Sequence, residues 1–254
     1  MKIVLIGAGN VATALGRLFY KNGLQIIQVV GRSEAGTKKL AEELQCTYTL
    51  LLQEVSKEAD IYIIAIPDDA VSKIADNLRL PDKIVVHTAG TLSIGAIKNI
   101  SENTGVIWPL QSLRKEIVDL PEIPFVIDGS NEYVNMFLNR LLSEISENVI
   151  MLKEEDRIKL HLSAVVVSNF TNHLYALTQE YCDQNNLPFE FLSPLLSETA
   201  SRLDKYEAKN VQTGPSVRGD KVSVSSHIKL LEQYPAFQSL YKQFDESIRK
   251  MYDK

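Results

Sequence analysis

The chain has 254 residues, 45% of them hydrophobic and 23% charged, the balance of an ordinary globular protein with room for one or two domains. Its formal charge of -5 supplies no basic surface for a nucleic-acid backbone, so no nucleic-acid partner is expected. No apolar run is long enough to span a bilayer, no leader pattern is visible, and the two cysteines, Cys46 and Cys182, offer neither a zinc spacing nor a disulfide framework. A cytoplasmic protein with no membrane partner and no metal site is the expectation.

Ile3, Val4, Leu5 and Ile6 form a short apolar run, as in a parallel strand buried on both faces. The run breaks at Gly7-Ala8-Gly9 and resumes at helical spacing with Val11, Ala14, Leu15 and Leu18. Gly7 permits a tight turn, Gly9 lets the backbone approach a diphosphate, and Ala12 fills the third small position of a GxGxxA pattern. The helix start, with Gly7, Gly9, Asn10 and Val11, then presents unpaired N–H groups to an anion, which is how a dinucleotide is held. Asn22-Gly23 stops this helix, and Gln25–Val30 is the second strand. It leads into Gly31-Arg32-Ser33. An arginine at that place favours the 2′-phosphate of NADP, so Arg32 and Ser33 are read as NADP-binding; Glu34, just beyond, keeps NAD possible.

Further on, Ala35–Leu44 reads as a helix and Thr47–Leu50 as a short strand. Asp60–Ile66 is a strand stopped by Pro67, with Asp68 or Asp69 expected to cap a helix carrying Val71, Ile74 and Leu78. Lys83–His87 is the next strand and ends in Thr88-Ala89-Gly90. Ligands of open α/β sheets lie beyond the carboxyl ends of strands, so Ile66, Pro67, Thr88, Ala89 and Gly90 are expected along the cofactor. Gly105–Pro109, Phe125–Asp128 and Val149–Leu152 complete the strands, with a helix over Tyr133–Ile145. This alternation predicts an α/β fold: a Rossmann-type, mostly parallel, doubly wound sheet followed by an all-α C-terminal domain. Strand-like runs cease near Lys153–Asp156. The expected domains are therefore 1–153, binding the dinucleotide, and 154–254, helical, for substrate and dimerisation.

Glu155–Cys182 has the spacing of one long helix. Leu162, Val166, Val167, Phe170, Leu174, Leu177 and Tyr181 gather on one face. The opposite side carries His161, Ser168, Asn169 and Asn172, uncharged groups suited either to a cleft lining or to a buried polar network. Histidine exchanges protons near neutral pH, so His161 is the acid/base candidate, with Asn169 and Asn172 as polar orienters and Ser168 as a substrate contact. A second candidate is the loop Gln212–Asp220, whose Arg218 either clamps a substrate carboxylate or is tied to Asp220. Ser225 or Ser226 is expected to cap the next helix. Pro235 opens the last one, whose apolar stripe of Phe237, Leu240, Tyr241, Phe244 and Ile248 suits core or a subunit contact.

The GAGNVA turn, the Gly-Arg-Ser after the second strand, Trp-Pro-Leu-Gln at 108–111, HLSAVVVSNFTNHL at 161–174 and QTGPSVRGD at 212–220 together resemble one family. It comprises NADP oxidoreductases with a Rossmann-like domain and a helical C-terminal domain without assigned chemistry. More distantly the chain is similar to pyrroline-5-carboxylate reductases, prephenate dehydrogenases and β-hydroxyacid dehydrogenases. The resemblance implies a helical domain that forms a homodimer and a small carboxylate-bearing substrate between the domains. There, hydride would pass to or from NADP(H). Hydroxyacid dehydrogenases place a lysine one turn before an asparagine; if Asn169 matches that asparagine, Val165 stands at the lysine's place. That departure supports an alternative, a non-catalytic NADP(H)-binding sensor or dimeric scaffold.

Overall fold

The apolar runs pair into one eight-stranded sheet in the computed structural model, which describes residues 1–253. The strands are β1 (Lys2–Ile6), β2 (Gln25–Val30), β3 (Thr47–Thr49), β4 (Ile61–Ile64), β5 (Ile84–His87), β6 (Asn103–Pro109), β7 (Phe125–Gly129) and β8 (Val149–Met151). Their order is β3-β2-β1-β4-β5-β6-β7-β8, and every pair is parallel except β6 with β7. The fold is thus the expected Rossmann-type α/β sheet with a helical C-terminal part.

Helices cover both faces, which is why β1 shows no polar alternation. Its side chains still point alternately. Ile3 and Leu5 join the core under α1 (Asn10–Lys21), α2 (Glu34–Glu43) and α4 (Glu132–Ser143). Val4 and Ile6 join the core under α3 (Asp68–Asn77). A third, smaller cluster places Leu160 and Ala164 of α5 (Glu154–Ala164) against Val106, Trp108 and Val126.

Neither Asp68 nor Asp69 caps α3. Pro67 holds the cap position, and both acids lie in the first helical turn, where they still complement the helix dipole. Asp68 instead accepts a hydrogen bond from the Thr91 hydroxyl at 3.3 Å.

The chain divides into two compact units, Met1–Ser168 and a second that begins at Asn169. The contact boundary therefore counts α5 with the sheet, whereas the last strand ends at Met151 and α5 begins at Glu154. Helical backbone runs without a break from Glu154 to Gln184, but Val165–Phe170 form a π-turn, so the long helix expected here is interrupted. The second unit holds α6 (Thr171–Gln184), α7 (Ser193–Ser201), α8 (Pro215–Arg218), α9 (Lys221–Leu230) and α10 (Pro235–Met251). The Gln212–Asp220 segment is not all loop, since α8 forms one turn within it after Pro215 at N1. Asp220 caps α9 by accepting from the Ser223 amide at 3.0 Å, so Ser225 and Ser226 lie inside the helix and do not cap it.

Candidate functional site

Register sets the site's edge. Ile6 is paired with Val30 on one side and Ile64 on the other, and Ile64 is paired with His87. The residues that follow these four positions therefore emerge from adjacent parallel strands along one edge. They include the candidates Gly7, Gly9, Asn10 and Val11; Arg32 and Ser33; Ile66 and Pro67; and Thr88, Ala89 and Gly90.

The two glycines of the turn have different reasons. Gly7 has φ +132°, and a Cβ there would sit 2.2 Å from the Ala65 carbonyl oxygen, so the protein's own backbone excludes a side chain. Its amide donates to the Val30 carbonyl at 2.7 Å. Gly9 has an ordinary φ of -85° at the N-cap of α1, and a Cβ there would meet no protein atom within 4 Å. Packing does not require Gly9; the space beside it belongs to whatever approaches the open end of α1. No acidic side chain occupies that first turn, so a diphosphate fits this cradle. Asn10 turns its side chain to the β6–β7 connection, accepting from the Lys115 amide at 3.3 Å, while Arg17 donates to the Lys115 carbonyl at 2.6 Å. Arg32 is exposed, and neither its guanidinium nor the Ser33 hydroxyl has a hydrogen-bond partner among the described residues.

At the end of β5, His87 is fully buried. Its Nδ1 accepts from the Ala89 amide at 3.2 Å, which leaves Nε2 to donate to the Ser93 carbonyl at 3.3 Å. Burial, with a smaller push from the positive charge of Arg157, lowers its pKa to about 4, so His87 is a neutral structural group at pH 7. Arg157 is also fully buried. It donates to the carbonyls of Ala89 at 3.1 Å, Gly90 at 2.9 Å and Leu92 at 2.9 Å. His161 lies four residues along α5, on the same helix face. Its ring centroid is 5.4 Å from that of Trp108, tilted by 41°. A Cβ at Gly90 would stand 2.4 Å from His161 Cδ2 and 2.9 Å from Trp108 Cε2, so glycine there admits both rings.

The structure thus groups His161 with Gly90, Trp108 and Arg157 in the first unit. Ser168 and Asn169 occupy the π-turn, and Asn172 follows on α6; all three are exposed. Their side chains have no hydrogen-bond partner among the described residues, so they form no buried polar network within this chain. Arg218 is exposed at the end of α8, and its guanidinium makes no hydrogen bond or ion pair among the described residues. The Arg218–Asp220 tie is not formed; Asp220 serves α9. Its carboxyl is held below its ordinary range first by the Ser223 hydroxyl, and only weakly by the charge of Arg218.

Three residues escaped the sequence reading in these roles: His87, Trp108 and Arg157. His87 is the last residue of an apolar strand and Arg157 sits in a charged first turn, so neither breaks a pattern. The available signal was that Arg157 precedes His161 by one helical turn.

Residues 2–90 match the family described as NADP oxidoreductase, coenzyme F420-dependent, and residues 123–248 match a domain of unknown function, DUF2520. The crystal structure of BF3122 from Bacteroides fragilis, named provisionally as an NADP oxidoreductase, is 37% identical in sequence, with a TM-score of 0.90 over 100% of this chain and 98% of that one. The chain belongs to the NADP oxidoreductase family. The family's fold extends to more distant proteins. A 1-pyrroline-5-carboxylate reductase from Streptococcus pyogenes is 16% identical, with a TM-score of 0.66 over 100% of this chain and 99% of that one. An imine reductase from Myxococcus stipitatus, solved in complex with NADP+, is 16% identical, with a TM-score of 0.67 over 98% and 93% of the two chains. No curated protein resembles this family member closely enough to count as a match. Among the described residues no helix is long and apolar enough to cross a membrane.

Proposed function

We propose that this oxidoreductase passes a hydride between NADP(H) and a small, carboxylate-bearing substrate, and that it works as a homodimer. The observation that carries the reading is the open amino end of α1 beside Gly9, together with the unpartnered cation of Arg32 just past the end of the neighbouring strand β2. When bound, NADPH supplies the hydride. The chain's own part is to hold it and to manage a proton. The amides at the start of α1 bind the diphosphate, and Arg32 with Ser33 binds the 2′-phosphate, which NAD lacks. Ile66 and Pro67 and the Thr88–Gly90 loop flank the remainder of the cofactor. His161, packed against Trp108 and Gly90, exchanges the proton that accompanies hydride transfer. Ser168, Asn169 and Asn172 offer unpaired hydrogen-bonding groups for orienting a substrate, and Arg218 offers a free guanidinium for its carboxylate.

The homodimer reading rests on exposed apolar side chains of the helical unit and the helix leading into it: Leu162, Val167, Phe170, Phe191 and Val222. A second copy of the same surface is the occupant that fits. The free thiols Cys46 and Cys182 suit a reducing compartment such as the cytoplasm. Calorimetric titration tests the central claim: NADPH should bind, and its consumption should then be seen with members of a panel of cyclic imines and keto acids. Folded protein that releases no heat with NADPH or NADH would overturn the reading.

A further inference from the structure

We infer that Arg157 is a positioning residue that shapes the Thr88–Leu92 loop into a donor surface for an acceptor oxygen at the nicotinamide end of the cofactor. The inference rests on the cofactor reading above. A buried guanidinium is costly when no carboxylate neutralises it. Arg157 has no ion-pair partner among the described residues, and the buried Asp128 is already engaged by Lys153 at 2.9 Å. What Arg157 does hold is the backbone of a loop that has no ladder or helix to satisfy it. Both ends of its planar fork are used: one nitrogen on Ala89 and Gly90, the other on Leu92.

The direction of those bonds matters. The carbonyls of Ala89, Gly90 and Leu92 are turned inward to the guanidinium. His87 ties down the same loop through the Ala89 amide and the Ser93 carbonyl. The amides of Gly90, Thr91 and Leu92 are left with no acceptor among the described residues. A run of unpaired amides held in place by its carbonyls offers donors to an acceptor oxygen. It lies just past the carboxyl end of β5, beside the ring of His161, and the carboxamide of a nicotinamide brings the matching oxygen. Arg157 touches no ligand itself. Its effect passes through the loop, and the one-turn spacing on α5 makes it also fix where His161 meets Gly90.

The test compares two probes on the full chain. NADP+ has the nicotinamide half; adenosine 2′,5′-bisphosphate has only the other. Arg157→Met should weaken NADP+ binding by about tenfold or more while leaving the bisphosphate within about twofold, because only donors near the ring are disturbed. Arg157→Lys, which keeps the charge and one donor direction, should recover part of the loss. Equal weakening of both probes, or of neither, would overturn the inference. Should neither variant fold, amide exchange on the wild-type protein decides: NADP+ should protect Gly90 and Thr91 where the bisphosphate does not, and unchanged exchange would equally overturn it. Wild-type protein that binds neither probe would instead sink the cofactor reading.

Discussion

Phe19, in the sheet-bearing unit, is fully buried, whereas Phe191, in the helical unit, leaves 79% of its surface exposed. The contrast holds throughout. Of the buried apolar residues, Cys182, Val224 and Leu231 are the ones that lie beyond Ser168 among the described residues; all the rest belong to the first unit. The sheet unit carries its own core on both faces of eight strands. The helical unit has amphipathic helices with little of their own to bury them against. An apolar residue therefore means different things in the two regions: closure within the chain in one, and a surface suited to association in the other.

The sharpest way to break that comparison is to make the same deletion in each region. Phe19→Ala should cost about 3–5 kcal/mol in chemical denaturation, because it leaves a cavity in a closed core. Phe191→Ala should change the stability of dilute protein by less than about 0.5 kcal/mol, as at an exposed site, yet lower the dimer fraction in sedimentation. Similar losses at both positions in dilute protein would remove the distinction.

Next in size is an effect that only a dense core can produce. Of the four histidines, His87 is the fully buried one. Its folded pKa of about 4 lies below the ordinary 6.5, so the unfolded chain takes up the proton first. Its contribution is fully present above about pH 6.5 and lost as pH falls through 4, on the order of 3 kcal/mol in all. His87→Asn should flatten that acid limb of a stability-against-pH curve and remain folded at pH 7, since an amide oxygen can take the Ala89 hydrogen bond. An unchanged limb would show that the acid sensitivity lies elsewhere.

The smallest effect is at the rim of the sheet unit. Arg32→Ala should weaken NADPH by about tenfold, a charged hydrogen bond's worth, and NADH by less than about twofold. Stability should stay within about 0.5 kcal/mol, because the side chain is exposed and its guanidinium has no hydrogen-bond or ion-pair partner among the described residues. Equal losses for the two coenzymes would remove Arg32 from the phosphate site.

Much of the first unit was legible because its signals are local. A glycine turn between an apolar strand and an amphipathic helix names its own geometry, and β2 spans the residues its sequence indicated. Strand ends were less so: the fourth strand stops at Ile64, two residues short of the apolar run's end. The cap of α3 was misread because Asp68 and Asp69 satisfy a cap preference, but Pro67 already fixes the helix start. The cap of α9 was misread because two serines drew attention from Asp220. At the candidate site, His161 stood out as a titratable group in a polar stripe. Arg157 did not, because its significance comes from carbonyls 65 to 68 residues away in sequence. Non-local backbone contacts leave no period to read.

The π-turn between α5 and α6 changes how offsets along this helix are counted. A π-turn accommodates one more residue than an α-turn, so azimuth slips by up to about 100° across Val165–Phe170. Four residues of π-turn sweep about 330° where four of α-helix sweep about 400°, so the bearing from Val165 to Asn169 is shifted by about 70°. A lysine engineered at Val165 would therefore project, relative to Asn169, about 70° from the bearing that an uninterrupted α-helix would give it.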